Sequence, residues 1–193
     1  MVCTANQCRS PMAEGMLRRQ LARAGVGASV GSAGLLPGGV PATVNAVATM
    51  RNRGIDLGGH VSHRLDPETV ADARLILGMA RMHVREACAT YGAPLERAFT
   101  LKEIVRRGEA IGARRADESV RSWLARAGAG RRPADLVRDD PFDDVADPVG
   151  RPRREYEDTA DELEDLLSRF VELLAGDAAA PARSATTTDY QRS

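Results

Sequence analysis

The chain has 193 residues, enough for one domain with a substantial hydrophobic core. Its 27 basic and 27 acidic side chains cancel, which argues against nonspecific binding to nucleic acid or to a membrane surface. No apolar run reaches membrane-spanning length, and three cysteines fit a reducing compartment better than a disulfide-stapled fold. The protein is therefore expected to be cytoplasmic, without a secretory leader. Arginine outnumbers lysine 26 to 1, which reads as GC-rich coding rather than a functional choice.

The first residues hold the chemistry: Cys3-Thr4-Ala5-Asn6-Gln7-Cys8-Arg9-Ser10-Pro11 places an arginine six residues after a cysteine, then a serine. A loop of this length can turn successive backbone N–H groups toward one centre and so form an anion nest. Ser10-Pro11 predicts a helix start, with Ser10 at the capping position and Pro11 at the first helical one. The positive end of that helix would face the same centre. Amides, dipole and Arg9 together favour a thiolate at Cys3, which can attack phosphorus and hold it as a thiophosphate. Asn6 tolerates the left-handed backbone that a tight loop needs. Bare Cys-x5-Arg is a weak signal in so arginine-rich a chain, and Ser10 and Pro11 strengthen it; otherwise Cys3 is a buried thiol beside a surface arginine. Only Met1 and Val2 precede the motif, so the natural start is expected several residues upstream. The alternative is a truncated, poorly folding protein.

Downstream, the pattern alternates as in an α/β fold. A helix is predicted over 11–24, with Met12, Met16, Leu17 and Leu21 inward, Arg18, Arg19 and Arg23 outward, and Gly25 as its stop. Residues 28–33 read as a strand and 41–53 as a helix ending before Gly54. Asp66-Pro67-Glu68 starts a short helix, since Asp caps and Pro suits the first turn. Residues 74–79 read as a buried parallel strand, 81–91 as a helix, 96–100 as a strand, and a further helix starts at Leu101. Cys88 reads as core beside Val84, Ala87 and Tyr91, whereas His63 and His83 read as surface. No His/Cys spacing suits a metal, and no cofactor is expected.

The Arg-rich stretch 113–138, with a helix predicted over 115–127 carrying Trp123 and Leu124 and a break at Gly128 to Gly130, reads as an edge insertion with a solvated face. A strongly amphipathic helix follows over 153–175, with Leu163, Leu166, Leu167, Phe170, Val171 and Leu174 as its stripe. The Ala/Thr/Ser composition of 176–193 reads as a disordered tail. Just before the last helix stands Asp147-Pro148. A carboxylic acid there can protonate a leaving oxygen and later take a proton from water, with Pro148 stiffening the loop. Asp139, Asp140, Asp143 and Asp144 lie nearby, so composition alone gives only a solvated acidic loop.

Taken together, Val2-Cys3-Thr4-Ala5-Asn6-Gln7-Cys8-Arg9-Ser10-Pro11-Met12-Ala13-Glu14, Ser32-Ala33-Gly34, Arg53-Gly54-Ile55-Asp56-Leu57 leading to His60, Ala73 to Met79, and Val145-Ala146-Asp147-Pro148 before a terminal helix resemble the low-molecular-weight protein-tyrosine-phosphatase family. That family also contains arsenate reductases and protein-arginine phosphatases. The resemblance covers 1–175 and implies one domain, a three-layer α/β/α sandwich around a four-stranded parallel sheet, with the phosphate loop at its N-terminus and a first strand that looks truncated. It implies Cys3 as nucleophile, Arg9 as a bidentate phosphate clamp and Asp147 as general acid. Thr4, Ala5, Asn6, Gln7, Cys8, Arg9 and Ser10 would line the phosphate, Ser10 easing departure of the thiolate. Asn6, Ser32, His60 and Pro148 would support the site, and Cys8 could join Cys3 in a reversible disulfide.

The departures from the family concern selectivity. Ala5 stands for the usual Gly. Gln7 stands where tyrosine phosphatases commonly carry Ile and arginine phosphatases Thr. Ala80 stands where Asp often follows the Met. Leu36 to Gly38 and Val149-Gly150 lack the aromatics that sandwich a phosphotyrosine ring. The second of the two further cysteines that thioredoxin-coupled arsenate reductases use has no counterpart. The expected activity is metal-independent hydrolysis of phosphomonoesters, protein phosphotyrosine first, through a cysteinyl-phosphate. The partner is then a phosphorylated protein or a small phosphomonoester. The alternatives are an arsenate reductase or thiol-dependent arsenate transferase, a protein-arginine phosphatase, or a silent phosphate-binding module.

Overall fold

The computed structural model describes residues 1–138 and 140–176. Four parallel strands form the sheet: β1 (Val2–Cys3), β2 (Ala33–Gly34), β3 (Ile76–Gly78) and β4 (Ala98–Thr100), in the order β2-β1-β3-β4. Seven α-helices surround it among the described residues: α1 (Arg9–Arg23), α2 (Val44–Asn52), α3 (Pro67–Asp72), α4 (Arg81–Ala89), α5 (Leu101–Ile111), α6 (Val120–Ala127) and α7 (Arg153–Ala175).

Strand alternation sorts the core into two halves. Cys3, Leu77 and Phe99 face one side, with Met12, Met16, Ile104, Leu163, Leu167 and Phe170 from α1, α5 and α7. Val2, Ile76 and Ala98 face the other, with Val70, Val84 and Ala87 from α3 and α4. This is the expected three-layer α/β/α architecture. Each fully buried large side chain of the α7 stripe contributes about 2 kcal/mol.

β1 is two residues long yet central: Val2 and Cys3 pair with Ala33 and Gly34 on one side, and Val2 pairs with Gly78 on the other. The chain leaves β1 for β2 on one flank, then crosses to β3 on the opposite flank. The C-terminal end of β1 is thus a switch point, where open α/β sheets form their binding crevices.

Several boundaries differ from the sequence reading, each for a local reason. The strand predicted over 28–33 is confined to Ala33–Gly34, because β1 offers two residues to pair with. The first helix starts at Arg9 with Cys8 at the capping position, so Ser10 and Pro11 lie within its first turn. Ser10 is not the cap, because its hydroxyl is engaged by the loop; Pro11 lies where helix N–H groups lack partners anyway. The helix predicted from residue 115 begins at Val120: Ser119 caps it, and Arg115 and Glu118 close a separate turn. Asp66 and Thr100 cap α3 and α5 through their side chains.

The segment 113–138, expected at an edge, sends Trp123 fully into the core, where its Nε1–H donates to the Gly112 carbonyl at 3.1 Å and its ring tilts against Phe170. Arg131 lies over the Phe99 ring, 4.0 Å from its centroid, while paired to Glu103. The arginines of this stretch thus serve packing as well as surface. Cys88 is half-buried, not core. The tail predicted for 176–193 lies, beyond Gly176, outside the described residues, as does Asp139.

Candidate active site

The loop from Cys3 to Ser10 runs from β1 into α1 and closes on the Cys3 sulfur. Ser10 Oγ lies 3.0 Å from Cys3 Sγ, and the Asn6 N–H donates to the same sulfur at 3.3 Å. The Ser10 hydroxyl and the Asn6 N–H thus converge on one sulfur atom. Asn6 adopts φ +54°, the only positive φ outside glycine among the described residues. Ala5 therefore takes an ordinary conformation, and its replacement of the family's Gly leaves the turn intact.

Asn6 is the hub of the loop. Its side-chain N–H2 donates to Ser10 Oγ at 2.9 Å and Ser32 Oγ at 2.8 Å, and its Oδ1 accepts the His63 N–H at 2.8 Å. Its carbonyl lies 2.7 Å from His60 Nε2, and Ser32 in turn donates to Glu14 at 2.5 Å. A left-handed asparagine costs on the order of 1 kcal/mol, and these bonds over-determine it. Gly34 permits the approach: a Cβ there would come within 2.8 Å of the Ala5 carbonyl carbon and the Asn6 nitrogen.

Arg9 is buried and reaches across the site. Its Nη1 donates to the Val145 carbonyl at 3.0 Å and its Nη2 to Asp147 Oδ2 at 2.5 Å. Residues 138 positions apart are joined in this way, with Asp147 exposed and Pro148 buried behind it. The Asp147 loop is fixed from α4: the Arg81 guanidinium donates to Asp143 and Asp140, and the Arg81 N–H is capped by Asp144 Oδ1 at 2.9 Å. Asp144 thus supplies the cap that Ala80 cannot. Burial raises the Asp143 carboxyl, but Arg81 and Arg106 outweigh it and hold the carboxyl below its ordinary range. The Val145 N–H completes the anchor on the Met79 carbonyl at 2.7 Å.

The loop therefore brings Cys3, Asn6, Ser10, Arg9 and Asp147 together, with Ser32 and His60 bonded to Asn6. Thr4 and Gln7 are half-buried along the loop, and the Gln7 carbonyl accepts the Thr43 N–H at 2.9 Å. Cys8 is buried and free, and burial first, then the Cys3 charge, pushes its thiol up. A groove of about 890 Å³ lies behind α1 between Pro11, Arg18, Ile55 and His60 and does not include Cys3.

Two features escaped the sequence reading. His83 is not at the surface: it is fully buried, and its Nε2 lies 3.0 Å from Thr4 Oγ1. Its spacing of four from Ala87 on the inward face of α4 was the available signal. The Arg81 anchor had none, because it joins residues about sixty positions apart.

The family model for low molecular weight phosphotyrosine protein phosphatase matches residues 1–112. The protein-arginine-phosphatase of Bacillus subtilis (strain 168) is 32% identical over 178 residues, covering 91% of this chain and 95% of that one. The probable low molecular weight protein-tyrosine-phosphatase EpsP of Ralstonia solanacearum is 39% identical over 105 residues, covering 54% of this chain and 70% of that one. The crystal structure of the low molecular weight protein tyrosine phosphatase from T. tengcongensis superposes with a TM-score of 0.68 at 32% identity, covering 90% of this chain and 96% of that one. The chain belongs to the low-molecular-weight phosphotyrosine protein phosphatase family, and is an enzyme of its hydrolase type. No helix among the described residues is long and apolar enough to cross a membrane.

Proposed function

We propose that this enzyme hydrolyses phosphate monoesters through a cysteinyl-phosphate, with phosphotyrosine on proteins as its substrate class. The observation that supports it best is the convergence of Ser10 Oγ and the Asn6 N–H on Cys3 Sγ, with Arg9 and Asp147 paired beside them. The Cys3 thiolate attacks phosphorus while Arg9 and the loop amides take up charge on the non-bridging oxygens. Protonated Asp147 gives its proton to the leaving oxygen as the P–O bond breaks. Water then attacks the cysteinyl-phosphate, Asp147 accepts its proton, and the S–P bond breaks toward a thiolate that Ser10 stabilises. No metal or cofactor enters these steps.

A second reading, phosphoarginine on proteins, is favoured by two observations. The arginine phosphatase of B. subtilis matches along nearly its whole length. The rim is also aliphatic: Leu36 and Val149 are half-exposed and tied to the site, Leu36 through its N–H to the Thr4 carbonyl and Val149 through its N–H to Asp147. An aliphatic rim offers a flexible side chain as good a grip as a ring.

Turnover of p-nitrophenyl phosphate, a phosphotyrosine peptide and a phosphoarginine peptide tests both readings, with Cys3→Ser alongside. Wild type is expected to turn over p-nitrophenyl phosphate, and Cys3→Ser to lose at least about a thousandfold in kcat. Activity retained by Cys3→Ser sinks the mechanism. A kcat/KM for phosphoarginine more than about tenfold above that for phosphotyrosine replaces the first substrate class by the second.

A further inference from the structure

His83 lies outside the Cys-x5-Arg motif, yet α4 buries it completely on the face it shares with Val84 and Ala87. Its Nε2 is 3.0 Å from Thr4 Oγ1, and its Nδ1, equally buried, has no hydrogen-bond partner. Burial first, and the Arg9 charge second, push the imidazolium down to about 3, so the ring is neutral at ordinary pH.

A neutral imidazole carries one N–H, on either nitrogen. Placed on Nδ1, that hydrogen would be a buried donor without an acceptor, which is rare and costly. Placed on Nε2, it meets Thr4 Oγ1 and leaves only a lone pair unmatched on Nδ1. The Nε2–H tautomer follows, with Thr4 Oγ1 as acceptor. The same oxygen accepts a long hydrogen bond, 3.5 Å, from Arg9 Nη2, the nitrogen that also holds Asp147.

We propose that His83 is a positioning residue: its Nε2–H fixes the Thr4 hydroxyl and, through that oxygen, the Arg9 guanidinium in the orientation that grips phosphate. The inference rests on the phosphatase reading above, and goes beyond it by adding a residue that touches neither phosphate nor sulfur. Thr4 becomes a relay between the buried layer behind the sheet and the clamp in front of it.

The test uses the full chain with His83→Leu, His83→Gln, Thr4→Val and the His83→Leu/Thr4→Val double variant. Three readouts are taken: the thermal midpoint, inorganic phosphate affinity by calorimetry, and kcat/KM on p-nitrophenyl phosphate. His83→Leu is expected to lose about tenfold in phosphate affinity and in kcat/KM, the size of one hydrogen bond. His83→Gln, whose amide N–H can replace Nε2–H, is expected to recover to within about threefold of wild type. Thr4→Val should reproduce the loss, and adding His83→Leu to it should cost no more.

Losses that multiply in the double variant overturn the proposal. So does a folded Gln variant as impaired as the Leu variant. The wild type gives an independent arm: long-range proton–nitrogen NMR should show the His83 ring protonated at Nε2, and protonation at Nδ1 overturns the proposal. Absence of turnover by wild type sinks the phosphatase reading, while calorimetry and NMR still decide the role of His83.

Discussion

The two halves of the site are held in different ways. The phosphate loop has a frame of its own, in which Cys3, Asn6 and Ser10 bond one another over three to seven positions around one left-handed asparagine, and Ser32, His60 and His63 brace that asparagine from outside. The loop carrying Asp147 has short local turns, with Asp140 Oδ1 accepting the Phe142 N–H and Asp147 Oδ1 the Val149 N–H, and is tied down from a distance as well. It is fixed by arginines reaching from elsewhere, Arg81 and Arg106 onto Asp143 and Arg9 onto the Val145 carbonyl. The half around Cys3 therefore keeps its central bonds within ten residues of chain. The half around Asp147 relies more on ion pairs from distant segments, which can be weakened one at a time.

The sharpest way to break this contrast is at Asn6. Asn6→Ala removes the bonds to Ser10, Ser32 and His63 and leaves a Cβ residue at positive φ. It is expected to cost about 3 kcal/mol in chemical denaturation and to abolish phosphate binding by calorimetry. Asn6→Gly loses the same bonds without the conformational penalty, so it should be about 1 kcal/mol more stable than Asn6→Ala. Equal stabilities would show that the left-handed backbone is not what the asparagine supports.

Asp147→Asn should lower kcat about a hundredfold on an alkyl or unactivated aryl phosphate, and distinctly less on p-nitrophenyl phosphate, whose leaving group needs little protonation. Phosphate affinity should stay close to wild type, because Arg9 and the loop remain. Equal losses on both substrates would argue that Asp147 acts through Arg9 rather than as an acid.

Asp143→Ala leaves Arg81 its bond to Asp140 and leaves Arg106 in solvent, so the expected cost is modest: about 2 kcal/mol of stability and a several-fold fall in kcat with KM held. A rise in KM alone would place the acid loop in substrate binding.

The last expected effect is the pH dependence of His83. Its imidazole is lowered in the folded protein from an ordinary 6.5 to about 3, so between those values the unfolded chain takes up a proton that the native state does not. Native stability from this group is complete above pH 6.5 and falls as pH drops, by up to roughly 1.4 kcal/mol per unit. Denaturation of wild type and His83→Gln at pH 7 and pH 5 measures it: the gap between them should shift against wild type at the lower pH. An unchanged gap would mean that His83 is solvated in the native state.

How much of this was legible beforehand follows from the range of the interactions. α7 could be read over its full length, since the 3.6-residue stripe from Leu163 to Val171 is written in the chain itself; the structure extends its buried face back to Tyr156 and leaves Leu174 half-buried. The caps of α3 and the curl at Asn6 were likewise local. The strand over 28–33 was misjudged because strand length depends on what the partner offers, and β1 offers two residues. Ser10 looked like a helix cap because nothing in the sequence reveals that Cys3 and Asn6 compete for its hydroxyl.

By itself the sequence determined the sheet-and-helix alternation, the loop from Cys3 to Ser10, and the residue types able to attack, clamp and protonate. Each of these rests on spacing within about ten residues or on a periodic pattern. Only the tertiary structure decided that Arg9 meets Asp147, that Arg81 and Asp144 secure the acid loop from α4, and that His83 lies buried beneath Thr4. Those contacts join positions 63 to 138 residues apart. They exist because a parallel sheet gathers the C-terminal ends of its strands at one edge, which no local pattern in the chain records.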